Sequence, residues 1–298
     1  MQKKVVVGLM ILFLLVMAVL SLRGASKSDE GMSIPGTSTI GVIEINGPIS
    51  GGTSEWLGNT TVSSTDIMQT IREARKRKDI KAVVLRVDSP GGTSGASQEI
   101  AMELDRLRES GKPVITSMGD TCASGGYWLA CSTDRIIANG ATITGSIGVI
   151  MEVNNLEGLY DKLGIRNSTI KSGEHKDIGS TSREMTAEEK QMLQGMVDDS
   201  YQQFLDQVRK GRKDKIKEEE LLKIADGRIF TGRQALQLGL VDQLGNYYDA
   251  IDTAKKLSGI KGESNIEVLN SSNLWDRFLL NVNTKSILRP QNFVEMRY

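Results

Sequence analysis

Apolar and polar positions follow two rhythms along this chain. Ile40-Gly-Val-Ile-Glu-Ile45 and Lys81-Ala-Val-Val-Leu-Arg-Val87 are short runs rich in β-branched residues, and they predict buried strands. Pro113-Val-Ile-Thr-Ser-Met118 predicts a third, with further strands near 135–138 and 142–150. Between them the period changes. Ile67, Ile71 and Ala74 fall on one face of a helix over 66–77, with Ser64 or Thr65 as its cap. Residues 94–109 predict a second helix, and a short third follows a glycine turn at 124–126. From about 186 the pattern is helical. Thr186-Ala-Glu-Glu189 is a capping box that opens a helix to about Lys210, and Thr231 to Gly239 is a short helix stopped by glycine. Repeated strand–helix alternation predicts an α/β domain with parallel layers. No internal repeat is visible.

The ends differ in kind from this domain. Val5 to Leu22 is an uncharged run of about 27 Å as a helix, close to the thickness of a bilayer core. Leu20-Ser-Leu-Arg23 is a poor cleavage site, so residues 1–22 read as an uncleaved signal anchor. Lys3 and Lys4 favour a cytoplasmic start, which puts the domain on the extracytoplasmic side of the cell membrane. Residues 23–39, rich in Gly, Ser and Thr, read as a linker, 40–261 as the catalytic domain and 262–298 as a tail. In that tail Leu274, Trp275, Phe278 and Leu279 form one apolar stripe. Packing on the domain is its plainest use; contact with a membrane or a neighbouring subunit is the alternative.

Charge narrows the partners. The 298 residues carry 37 basic and 37 acidic side chains and few aromatics, so no overall field favours nucleic acid. The six Lys/Arg between Arg72 and Lys81 read as the solvated face of the first helix. Cys122 and Cys131 are too few for a disulfide framework or a zinc site and read as small buried residues. Cys122, beside Ser124, is a minor rival nucleophile whose thiol would make the site sensitive to alkylation.

Three segments can assemble an acyl-transfer site. Asp88-Ser-Pro-Gly-Gly92 follows a strand and lets backbone N–H groups approach a substrate, as an oxyanion hole requires. Ala123-Ser-Gly-Gly126 leaves room for an exposed Ser124 hydroxyl, with the N–H of Gly125 as another donor. Lys171-Ser-Gly-Glu-His-Lys-Asp-Ile-Gly179 offers Lys176 as base, and also His175, the chain's single histidine. A lysine with a pKa of ~10.4 accepts a proton from serine only if its surroundings disfavour the ammonium. Ser146, in Thr144-Gly-Ser-Ile-Gly148, could orient the neutral amine, whereas Glu174 and Asp177 would keep it charged unless they point away.

Ser-Pro-Gly-Gly at 89–92, Ala-Ser-Gly-Gly-Tyr at 123–127, Thr-Gly-Ser-Ile-Gly-Val at 144–149 and Ser-Gly-x-x-Lys-Asp-Ile at 172–178 occur in that order. In this the chain resembles the bacterial signal peptide peptidase A family of serine proteases, in its short single-unit form, over roughly 40–255. The resemblance implies a Clp-protease/crotonase-like fold with repeated β-β-α units behind one transmembrane helix. It implies Ser124 as nucleophile, Lys176 as general base, Ser146 as the lysine's partner, and the N–H groups of Gly91 and Gly125 as oxyanion donors. It implies no cofactor or metal. The partners it implies are released signal peptides, cut in their apolar part, and other copies of the chain. In such an oligomer the serine and lysine of one site come from adjacent subunits. A crotonase-like acyl-CoA enzyme, a catalytically dead membrane scaffold and a Ser-His protease using His175 are the competing readings; neither of the first two explains the anchor and the catalytic set together.

Overall fold

The computed structural model describes residues 38–270 apart from 53–54 and 57–58, and only the backbone of 55, 56, 59 and 60. The expected anchor at 5–22 and the stripe at 274–279 lie outside the described residues. Among the described residues no helix is long and apolar enough to cross a membrane.

The three expected apolar runs form the heart of one sheet: β1 (Thr39–Asn46), β6 (Ile80–Ser89) and β7 (Val114–Ala123). They are buried almost along their whole length, as strands covered on both faces must be. Small strands β2 (Ile49–Ser50), β3 (Glu55–Trp56), β4 (Asn59–Thr60) and β5 (Val62–Ser63) lie between β1 and β6 in the chain, outside this sheet. The rest of the main sheet is β8 (Arg135–Ala138), β9 (Ile143–Gly145), β10 (Ile229–Thr231), β11 (Gln243–Leu244) and β12 (Asn265–Val268). The order is β10-β9-β7-β6-β1-β12, with β8 on β7 and β11 on β8. Within this sheet only the β9–β10 pair is antiparallel.

Two expectations about boundaries change. The sheet continues past 261, because β12 pairs with β1 and Asn270 exchanges hydrogen bonds with the Glu44 backbone. The first part of the expected tail is therefore structural. The strand expected over 142–150 stops at Gly145, because Gly145 and Ser146 take φ of +83° and +50°, outside the range of a strand.

The helices sort to the two faces by their apolar stripes. α1 (Ser64–Lys76) buries Ile67, Ile71 and Ala74, and its cap is Ser63, whose Oγ accepts the Asp66 N–H. α2 (Ser94–Glu109) buries Ile100, Leu104 and Leu107 beside it. α3 (Gly125–Ala130) is wholly buried. α4 (Glu157–Leu163) buries nothing. α5 (Ala187–Gly211) enters the core only through Phe204, Leu205 and Val208, near its end. α6 (Glu218–Ile224) and α7 (Gly232–Gln237) complete that side. α8 (Tyr247–Ser258) covers the opposite face, with Ala250, Ile251 and Ala254 against Ile40, Val42, Ala82 and Val84. The result is an α/β domain with a largely parallel sheet and helices on both faces. The chain between β9 and α5 projects from it as an arm.

Candidate active site

The segments after β6, β7 and β9 meet at the carboxyl ends of these strands, where open parallel sheets place their ligands. There they border a cleft of about 380 Å³, whose lining includes Gly92, Ser124, Gly125, Trp128, Ser146 and Phe204.

Ser124 stands between β7 and α3 with φ 51° and ψ −121°. Its N–H donates to Gly145 O (2.9 Å) and its carbonyl accepts the Trp128 N–H (2.9 Å). The backbone is thus locked on both sides, while the hydroxyl has no hydrogen-bond partner among the described residues. Close neighbours must be small. A Cβ on Gly91, itself at φ +106°, would lie 2.7 Å from Ser124 Cβ and 2.7 Å from the Gly125 nitrogen. One on Gly92 would lie 1.9 Å from the Ile49 carbonyl oxygen.

The two expected oxyanion donors differ in their present engagement. The N–H of Gly125 has no acceptor among the described residues. That of Gly91 donates to the buried Ser89 Oγ (3.1 Å), and Gly92, not Gly91, borders the cleft. The Gly92 N–H has no acceptor among the described residues either. The reason is geometric: Ile49 bridges to Gly92 through bonds to Gly91 O and from Thr93 N, which leaves the Gly92 amide facing outward.

Ser146 lies across the cleft, at φ 50°, its N–H held by Arg228 O (2.8 Å) and its hydroxyl without a partner among the described residues. Lys176 is not part of the cleft lining. It lies on the arm, exposed, with its N–H on Gly173 O (3.2 Å). His175 is on the same loop, Nε2 3.8 Å from Glu188 Oε1, and does not line the cleft. The structure thus brings Ser124, Gly125 and Ser146 together, with Gly91 directly behind them, and leaves both candidate bases on the arm. Asp177 is turned to Arg183 and Lys171, and these two cations, Arg183 foremost, hold its carboxyl well below the usual carboxylate range.

Cys122 is fully buried inside β7, paired in the sheet with Ser89 and Thr144, and burial pushes its thiol far above the ordinary range. It is therefore neither a rival nucleophile nor a route to alkylation in the folded protein. Cys131 is likewise buried, its thiol pushed up to about 12.

Trp128 and Phe204, with ring centroids 4.8 Å apart, Val149 and Ile150 give the cleft an apolar wall, and Ser94 and Asp226 add polar rim. None of these was singled out from the sequence. Trp128 and Phe204 sit in apolar helical patterns that read equally well as core.

The sequence profile of Peptidase family S49 matches residues 106–261. A Synechocystis sp. protein named "Putative protease" is 45% identical over 73% of this chain and 74% of its own length. Protease 4 of Salmonella typhi is 38% identical over 80% of this chain and 38% of its own, longer chain. Serine protease SPPA, chloroplastic, of Arabidopsis thaliana is 34% identical over 80% of this chain and 35% of its own. With a serine on a strained glycine elbow beside unengaged backbone donors, these matches settle the class: the chain belongs to peptidase family S49 and is a serine peptidase of the SppA type.

Proposed function

We propose that this peptidase is a membrane-anchored endopeptidase that degrades released signal peptides with a Ser124–Lys176 dyad. The observation that carries the reading is the Ser124 elbow, its free hydroxyl beside the free Gly125 N–H on a cleft walled by Trp128, Val149, Ile150 and Phe204. An apolar wall suits the apolar part of a signal peptide.

In this mechanism Ser124 Oγ attacks the scissile carbonyl carbon and its proton passes to the neutral Lys176 amine, oriented by Ser146. The oxyanion is received by the Gly125 N–H and by a second donor from the Gly91–Gly92 turn. Gly92 is the better placed of the two while Ser89 holds Gly91. Lys176 then protonates the leaving amine, and in the second half activates the water that opens the acyl-enzyme. The fold kinship is with Clp protease and crotonase.

The exposed arm supports a site completed between subunits. Leu163 and Ile170 are 63% and 99% exposed. Each such side chain forgoes roughly 1.5–3 kcal/mol of burial unless something covers it. A second copy of the chain, seated on the arm, would cover them and receive Lys176. The run at 5–22 supports the anchor, with the domain outside the cytoplasmic membrane.

The test is mass mapping of cuts in a synthetic signal peptide by the wild type and by Ser124→Ala, Lys176→Ala and His175→Ala. The dyad requires loss of about 10³-fold or more for the first two and near-native turnover for the third. Retained turnover in Lys176→Ala would sink it.

A further inference from the structure

The loop that carries Lys176 is held by charge, not by a core. α4 buries no residue, and apolar side chains along the arm stand open. One ionic cluster ties 171–180 back to the domain. Arg183 donates to Asp177 through Nε (2.9 Å) and Nη2 (2.8 Å), and to Glu189 through Nη1 (2.8 Å) and Nη2 (2.5 Å). Lys171 Nζ donates to the same Asp177 carboxylate at 2.6 Å. Glu189, 2% exposed, also accepts the Thr186 N–H (2.9 Å) in the capping box of α5. α5 in turn is fixed in the core at Phe204, Leu205 and Val208. A continuous line of contacts therefore runs from the core through Glu189, Arg183 and Asp177 to the residue next to Lys176.

The cluster also disposes of a charge. A free carboxylate beside an ammonium favours its charged form and would disable it as a base. Asp177 adjoins Lys176 but is occupied by two cations, and the Lys176 ammonium has no partner among the described residues. Of the remaining charges near the loop, His175 faces Glu188 (3.8 Å), Glu184 faces Lys190 (3.5 Å), and the Glu174 carboxylate is on the loop itself.

We infer that Arg183 is a positioning residue for Lys176: it fastens the lysine's loop to the start of α5 and, by occupying Asp177, keeps that carboxylate off the lysine. The inference rests on the Ser124–Lys176 reading above.

The test uses the full chain in detergent with an apolar fluorogenic peptide. kcat and KM are measured from about pH 6 to 10 for Lys176→Ala, Arg183→Ala, Arg183→Lys and the double variant Arg183→Ala/Asp177→Asn. Thermal unfolding is followed in parallel. Arg183→Ala should lose about 10- to 100-fold in kcat with KM little changed, and the rising limb of kcat/KM should move about one unit to higher pH. Adding Asp177→Asn should return the limb to its wild-type position without restoring kcat in full. Arg183→Lys should fall between wild type and Arg183→Ala; the unfolding temperature of Arg183→Ala should drop, because the buried Glu189 carboxylate loses its cation, and Asp177→Asn should not restore it. If Lys176→Ala keeps its turnover, the dyad itself fails. If Lys176→Ala is dead while Arg183→Ala keeps the wild-type kcat and limb, the inference alone fails. A loss of kcat with an unmoved limb, indifferent to Asp177→Asn, also overturns it, since a merely structural role would behave that way.

Discussion

Ser124 and Ser146 are two of the three non-glycine residues with positive φ among the described residues, and both face the cleft. Such conformations cost about 1–3 kcal/mol each and persist only where surrounding bonds enforce them. Here the enforcing bonds are Ser124 N to Gly145 O and Ser146 N to Arg228 O. Gly91 supports the same elbow from behind. Gly91→Ala would push a methyl against Ser124 Cβ and load a left-handed position. It should lower kcat/KM by about 10²-fold or more through displacement of the hydroxyl and stability by about 1–3 kcal/mol; steady-state kinetics and urea unfolding read the two effects separately. Cys122 and Cys131 give a second residue-scale prediction. Neither should react with iodoacetamide in the folded protein, and both should react in denaturant, as intact mass would show.

Ionic contacts join elements both against the apolar core and on the arm. Arg212, just past α5, is 3% exposed and pairs with Asp242, which also accepts the Ile136 N–H from β8. Burial works against the Asp242 carboxylate, but Arg212 outweighs it and holds the carboxyl below the ordinary range. Asp242→Ala would strand a buried guanidinium and should cost about 3–5 kcal/mol in urea unfolding. The sign with pH follows. Groups whose carboxyls are lowered on folding stabilise above their unfolded pKa and lose that contribution as pH falls through the folded value. Glu189, held down to about 2 chiefly by Arg183, behaves the same way at the root of the arm. The arm should therefore resist an acid-active protease at about pH 5 and become susceptible between 171 and 186 only as the pH falls through about 2, where Glu189 takes up its proton and releases Arg183. Equal cutting at both would contradict the cluster's role.

At the scale of the molecule, the cleft gathers residues from 90–94, 124–128, 146–150, 204 and 226–227, and the candidate base stays on the arm. If the base arrives from a neighbouring copy, mixing inactive Ser124→Ala with inactive Lys176→Ala subunits should restore about a quarter of wild-type activity at equal proportions, the share of sites drawing both intact residues. No recovery after subunit exchange would argue for a site made within one chain. Strand and helix periods alone determined the α/β class, the helices α1 and α2, the apolar face of α1 and the glycine elbow, because these depend on local spacing and on residues with few permitted conformations; α8 was not legible there. The sequence also carried the family motifs. Local spacing placed the cap of α1 one or two residues late, ended the domain before β12, and ran β9 on to 150, because caps and strand ends are set by which neighbour supplies the next hydrogen bond. Only the tertiary structure decided that Gly92 borders the cleft while Gly91 is engaged by Ser89, that Trp128 and Phe204 form its wall, and that Asp177 is turned toward Arg183. The cleft wall joins segments far apart in the chain, and even the short contacts, Gly91 with Ser89 and Asp177 with Arg183, depend on how each loop turns in three dimensions, which one-dimensional spacing does not encode.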